Sequence, residues 1–331
     1  MISVECHAKL PFEYESYLIE RYCSFTNTCH YIATYYPNFE INYMSVKKDE
    51  KLVDILIFGI KGNTCTCFNS LAYIDQEIMS EFTKSVFVLF PAIRKIGIKA
   101  SYSSYEFDKS ITLPKSEDYI LKLPKTLDDY NSQLGTKTRK HLKARIAKLQ
   151  KEFSTVNFVL SYGPEIQKTV IDKIVQFNWD RMKHKGRKSG IDELYKDNMF
   201  KFAEHYGCVA YLELDGNIVA GCITTVLNKE LFFHVIAHDN DFSKFNVGEV
   251  CAYHLIESSI NKELETMHFL WGKSEMKRRF QAEPQPLYSY LVFRKYSLDF
   301  LICKFKNDVL ELLIRIKHSG LYSKLMALKK K

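Results

Sequence analysis

LFFHVIAHDNDFSKFNVGEVCAYHLIESSINKELETMHFLWGKSEMKRRF, residues Leu231 to Phe280, decides how this chain is read. LFFHVIAH is rich in aromatic and β-branched residues and reads as a strand, and HDNDFSKFNVG is a polar loop. Val247 to about Lys262 has the spacing of a helix, TMHFLWG reads as a second strand, and a short basic segment closes the stretch. Strand, helix and strand in that order form one βαβ crossover, a unit that opens a ligand crevice at the carboxyl ends of its strands. The polar residues that look out of place in this chain gather in its two loops, so the chemistry is expected there.

Working outward, VAYLELDGNIVAGCITTVL just upstream is a hairpin turning at Asp215-Gly216. Before it, VNFVLSYG is a strand, PEIQKTVIDKIVQFNWDRMKHKG a helix with Pro164 at its start, and DELYKDNMFKFAEHYG a helix closed by Gly207. Further back, Leu142, Ile146, Leu149 and Phe153 make one apolar stripe on a helix. Its other faces carry seven basic residues between Lys137 and Lys151, and those at its start, Arg139 among them, oppose the helix dipole and suit an anionic partner. The amino-terminal third holds a helix near Phe12 to Asn27, a hairpin at Gly62-Asn63, a helix from Asp75 to Phe90, and strands in GIKASYSSY and DYILKL. After Phe280, LYSYLVFRKY gives a last strand. A tail helix from Leu298 then carries Leu310, Leu313 and Ile314 as its stripe and ends in lysines. Helix-then-hairpin order occurs twice, which suggests a duplicated fold.

At 331 residues two domains are expected, and they are set at 1–125 and 126–331. The longest nearly uncharged apolar run, around Ser85 to Ile93, is about half a membrane span, and Met1 to Leu10 has no apolar signal core. A cytoplasmic protein without an integral membrane segment is the expectation. Nine scattered cysteines read as small core residues in a reducing compartment. The net charge of +8 favours an anionic ligand or partner.

His234 and His238 share one strand face by alternation, about 13 Å apart, which is too far for one metal; no metal site is expected. His238 with Asp239 beside it is the candidate general base, and His234 reads as a hydrogen-bonded core residue. The start of the next helix, Asn246, Val247 and Gly248 with Lys244 nearby, suits a pyrophosphate or carboxylate. Trp271 shares a face with Met267 and Phe269. In the basic segment Lys273 and Lys277 fall on one helical face as a phosphate pair, Glu275 is a second candidate base, and Arg279 adds charge.

Four stretches carry a family resemblance: TRKHLKARIAKLQKE, NWDRMKHKGR, VAYLELDGNIVAGCIT and HFLWGKSEMKRRF. Together they resemble the CelD-like acetyltransferases of the GNAT superfamily, relatives of the FemABX transferases, over about Leu134 to Phe280. The amino-terminal third is similar only in that the family pairs two GNAT-like halves. The resemblance implies an α/β (α+β) fold of two tandem GNAT-like domains, each a mixed sheet flanked by helices. It implies transfer of an acyl group from acyl-CoA to an amino- or hydroxy-bearing precursor, such as a sugar of a bacterial surface polysaccharide. Charged tRNA is the alternative donor, and a non-catalytic binding protein of the same fold is the third reading. On this basis His238, Glu275 and Lys277 are expected to be catalytic. Lys244, Asn246, Val247 and Gly248 are expected to hold the donor, and Arg139, Arg181, Trp271, Lys273 and Arg279 the substrate or its anion. Lys273 and Ser274 stand where the family has an acidic pair, and the Q/R-x-x-G-x-G/A signature is absent. No resident cofactor is expected, and the oligomeric state is not written in the sequence.

Overall fold

In the computed structural model, which describes residues 2–114 and 116–318, the chain forms two units that interleave along the sequence. Residues 1–11, 38–116 and 286–331 make the first, and residues 12–37 and 117–285 the second. This grouping differs from the contiguous division expected at 125/126, and long-range pairing is the reason. The last strand of the chain returns to the first unit, while the helices after the first strand pack into the second.

The first unit has strands β1 (Ile2–His7), β2 (Glu40–Lys48), β3 (Lys51–Lys61), β4 (Thr64–Cys67), β5 (Lys95–Ser101) and β6 (Ser110–Thr112). Its remaining strand, β13 (Glu283–Phe293), comes from the far end of the chain. β1 to β4 form an antiparallel meander, and the β3–β4 hairpin turns at the predicted Gly62-Asn63. β4 runs parallel to β5, and β13 lies antiparallel to β5 and β6. Helices α1 (Glu15–Tyr22) and α2 (Cys29–Tyr35), although they follow β1 in sequence, belong to the second unit. Helix α3 (Gln76–Leu89), capped by the Asp75 carboxylate on the Glu77 amide, crosses from β4 to β5.

The second unit repeats this topology. Its strands are β7 (Ser116–Lys122), β8 (Val156–Tyr162), β9 (Gly207–Leu214), β10 (Asn217–Leu227), β11 (Glu230–His238) and β12 (Thr266–His268). β8 to β11 form an antiparallel meander, β11 runs parallel to β12, and β7 lies antiparallel to β12. Its helices are α4 (Leu127–Gln133), α5 (Thr136–Glu152), α6 (Lys168–His184), α7 (Glu193–Tyr206), α8 (Val247–Asn261) and the short α9 (Glu275–Arg279). The expected crossover is thus β11–α8–β12. Both units are mixed sheets with a meander, one βαβ crossover and an antiparallel last strand, as a duplicated fold requires.

Two cores sandwich the second sheet. On one side α8 and α5 cover Leu231, Phe233, Met267 and Phe269; on the other α6 and α7 cover Val209, Ile223, Val235 and Ala237. Gly221 on β10 leaves the room that Ile174 of α6 fills, since a Cβ there would stand 2.4 Å from the Ile174 side chain. Helices α1 and α2 are tied down by Glu15, whose carboxylate accepts from the Cys29 amide at 2.7 Å and from the Tyr206 hydroxyl at 2.8 Å.

Local expectations shift in three places. Gly207 closes α7 as read, but with extended rather than left-handed backbone, because it also begins β9. Leu270, with φ of 52°, ends the alternation that placed Trp271 beside Phe269. The tail is helix α10 (Leu298–His318), but Leu310 and Leu313 are exposed, and Phe300 and Asn307 form its buried side. The lysine-rich end read from the sequence lies outside the described residues. Among the described residues no helix is long and apolar enough to cross a membrane.

Candidate active site

β11 and β12 pair only from Glu230 to Phe232 against Thr266 to His268, and then part. β12 ends because Leu270 and Gly272 both take positive φ and turn the chain away. Where the strands part lies a cavity of about 390 Å³ lined by Phe25, Tyr31, Tyr195, Phe233, His234, Phe269, Leu270 and Trp271. A neighbouring hollow of about 330 Å³ shares Tyr31 and Tyr195 and adds Tyr35, Tyr36, Asp192 and Asn198. Aromatic faces with a few polar groups at the end of a parallel pair are the usual make-up of a small-molecule site.

His234 is the imidazole of the larger cavity's wall. Its Nε2 shares a 2.6 Å hydrogen bond with Thr225 Oγ1, and Phe25 meets the ring edge-on at 4.7 Å. Burial pushes its pKa down to about 4, so the imidazole is neutral near pH 7. The expected sharing of one strand face by His234 and His238 is overturned by a bulge. Opposite Ile223 and Thr224 the register slips by one residue at His234. Leu231 and Phe233 pack on the α8 side, whereas beyond the bulge Val235 and Ala237 pack on the α6 side. An inserted residue reverses the alternation of everything after it. His238 therefore faces α8, with its Nδ1 3.0 Å from where a Cβ on Gly248 would stand.

That contact changes the reading of the donor loop. Val247 and Gly248 are buried, and the closeness that glycine permits is spent on His238 rather than on a ligand. Asn246 takes φ of 53° and Lys244 lies exposed over the Phe245 ring. Asp239 does not hold His238, because its carboxylate accepts from the Asp241 amide at 3.0 Å and caps the intervening turn. Burial and then the Arg181 charge lower the His238 pKa. Arg181 itself is half-buried, and its Nε lacks a hydrogen-bond partner. Gly248→Ala is expected to cost no more than about 1–2 kcal/mol, since displacing the His238 ring is offset by about 1 kcal/mol gained in helix propensity, read as the denaturant midpoint at unchanged slope.

The basic segment is more occupied than its sequence suggests. Lys277 is 7% exposed, and its Nζ donates to the carbonyls of Leu270, Trp271 and Gly272 at 2.9, 2.8 and 2.8 Å. All three ammonium protons are thereby used. Lys277 thus holds the turn that carries Trp271. Burial pushes its pKa down to about 8, against a smaller opposing pull from Asp118. Arg279 is likewise engaged: with Arg145 of α5 it grips Glu249 in the first turn of α8. Lys273 pairs at 3.5 Å with Glu117, so the expected phosphate pair of Lys273 and Lys277 is not formed. Glu275 is exposed on α9, and Arg139 borders a small depression with Asn131, Lys143 and Tyr253.

Sequence reasoning gave no role to a buried cluster at the closed end of the crevice. His268 Nδ1 lies 2.6 Å from Asp118 Oδ2 and its Nε2 2.7 Å from Glu230 Oε2, while the ring stacks on Phe232 at 4.4 Å. Burial opposes charge on the imidazole, but hydrogen bonds to both carboxylates outweigh it and raise its pKa. The imidazolium bridges β7, β11 and β12 where the parallel pairing ends. Acids at the openings of two apolar strands, EDYILK and ELFFHV, were the available signal. Among the described residues no group of three or more His, Cys, Asp or Glu is placed to hold a metal ion.

Residues 136–278 match the acetyltransferase (GNAT) domain family. No curated protein matches the chain. Among solved structures, FemX is similar in fold at a TM-score of 0.65 and 9% identity, over 87% of this chain and 97% of that one. A conserved protein of unknown function from Bacteroides thetaiotaomicron gives 0.56 and 12%, over 88% and 100%. The carboxyl-terminal domain of a putative lysylphosphatidylglycerol synthetase from Agrobacterium fabrum gives 0.50 and 11%, over 77% and 84%.

Proposed function

We propose that the chain is a GNAT-type transferase that moves an acyl group onto an amine or hydroxyl held in the cavity beside His234. The observation that carries this reading is the parting of β11 and β12 around an aromatic cavity whose wall holds one neutral imidazole. Phe25, Tyr31, Tyr195 and Trp271 offer flat apolar faces of the kind that stack on the ring of a sugar, which supports a saccharide precursor as acceptor. His234, steadied by Thr225, can accept a hydrogen bond from the attacking N–H or O–H and aim its lone pair at the acyl carbon. At a pKa of about 4 it orients the acceptor better than it removes a proton. In the balanced reaction the acceptor's N–acyl or O–acyl bond forms, the donor's acyl bond breaks, and the acceptor's proton leaves on the departing sulfur or oxygen.

Acyl-coenzyme A is the first donor to consider, because the matched domain is an acetyltransferase one. At the start of α8, Val247 and Gly248 are buried against their own core and His238, so no step is routed through that loop. This same closure favours a second reading with an aminoacyl-tRNA donor. Lys137, Lys140, Lys143, Lys148 and Lys151 stand exposed along α5, where they can meet phosphates. Likeness of fold to FemX accords with it.

Thermal unfolding with each donor separates the two. A donor at a hundredfold its dissociation constant adds about 2.7 kcal/mol, a shift of several degrees. A shift with acetyl-coenzyme A supports the first reading, and a salt-sensitive shift with aminoacyl-tRNA alone supports the second. No shift with either, across several acyl groups and charged tRNAs, would sink the transferase reading in favour of a binding protein.

A further inference from the structure

Helix α10 carries two apolar faces on opposite sides. One is used: Phe300 packs edge-on against Phe293 at 5.3 Å, and the buried Asn307 donates to the Thr112 carbonyl at 3.3 Å. Among the described residues nothing covers the other, where Leu298, Leu301, Phe305, Val309, Leu312 and Leu313 are all at least 40% exposed. Steps of three and four residues place them along one stripe from Leu298 to Leu313. A contiguous apolar surface of this length, held outward by a helix anchored on its other side, is a docking surface.

Charge selects its occupant. Exposed Lys304, Lys306 and Arg315 border the stripe together with Asp299 and Asp308, and Arg315 pairs with Glu311, so the helix itself is close to neutral and the positive excess comes from the sequence that follows it. From Leu298 to the end the sequence carries eight lysines and arginines against three acids. Two copies meeting through this face would bring that excess together, whereas an anionic lipid surface would neutralise it. Seven charged residues within the helix rule out burial across a bilayer, so it can lie only in the interface, with its leucines in the headgroup boundary and its lysines reaching outward. We propose that the outward face of α10 docks the protein on an anionic membrane surface, independently of the reaction it performs.

Flotation of the full chain with vesicles tests this. The probes are phosphatidylcholine alone and phosphatidylcholine with about one third phosphatidylglycerol, the latter carrying the negative surface potential. Binding only to the anionic vesicles, weakened by salt and reduced at least tenfold in a Leu301→Glu/Phe305→Glu variant, is the expected result. Both side chains are exposed, so this variant should keep the wild-type unfolding temperature. A Lys304→Ala/Lys306→Ala variant should bind with a shallower salt dependence. Absence of binding, equal binding to both vesicle types, or undiminished binding by the glutamate variant would overturn the proposal. Dimerisation through this face without lipid binding would overturn it too, in favour of a second copy.

Discussion

His268→Leu should lower the stability of the protein by about 3–5 kcal/mol, the usual cost of removing one partner from a buried ion pair. Leucine nearly fills the space but leaves Asp118, which is fully buried, and Glu230 without the cation between them. Chemical denaturation near pH 6 measures the loss as a lower midpoint. The pH dependence carries a sign of its own. The folded-state pKa of His268 is raised above its ordinary 6.5, so the folded protein holds this proton more tightly than the unfolded chain. Its stabilisation is complete below about pH 6.5 and is lost as pH rises through the raised folded value. The gap between wild type and variant should therefore narrow towards alkaline pH. A gap that widened instead would show that the imidazole is held neutral.

A different signature is expected at Lys277. Lys277→Met keeps the length of the side chain and removes three donors from the carbonyls of residues 270–272. The expected cost is about 1–3 kcal/mol, the low side applying if water replaces the ammonium on the exposed carbonyls. Trp271, which this turn presents to the cavity, should become more mobile, seen as a red shift in its emission, with a raised KM for the acceptor. Lys277→Arg separates positioning from charge. Its planar fork cannot cap three converging carbonyls, so it should fail to restore either property despite keeping the charge. Full rescue by arginine would return Lys277 to the role of a charge that meets substrate.

These two residues also show how far the sequence could be read. The crossover was legible because period-two and helical spacing change within one stretch and the turn signals between them are strong. The matching grammar of the two halves was legible for the same reason. Interleaving of the units was not, because β13 pairs with strands almost two hundred residues earlier and no local pattern records a partner. The bulge at His234 left no mark either, since one inserted residue changes no composition yet reverses which side His238 faces. Lys277 and Arg279 were recognised as special, but their partners were not. A carbonyl turn shaped by Leu270 and Gly272, and a glutamate in α8, become neighbours only on folding. The cavity itself draws Phe25, Tyr195 and Trp271 from three distant segments, each an ordinary aromatic residue in its own stretch.

Replacing His234 tests the central claim most directly. Phenylalanine in its place matches the ring, fills the polar side of the cavity and removes the hydrogen-bonding nitrogen. With whichever donor stabilises the wild type, His234→Phe should reduce kcat/KM for acyl transfer by about a hundredfold, the scale of losing one orienting contact at the reacting atom. Its unfolding temperature should stay close to that of the wild type, and no acidic limb from this residue should appear above about pH 5, since its pKa of about 4 leaves it neutral there. Transfer within threefold of wild type by the folded variant would contradict the account and place the reaction elsewhere.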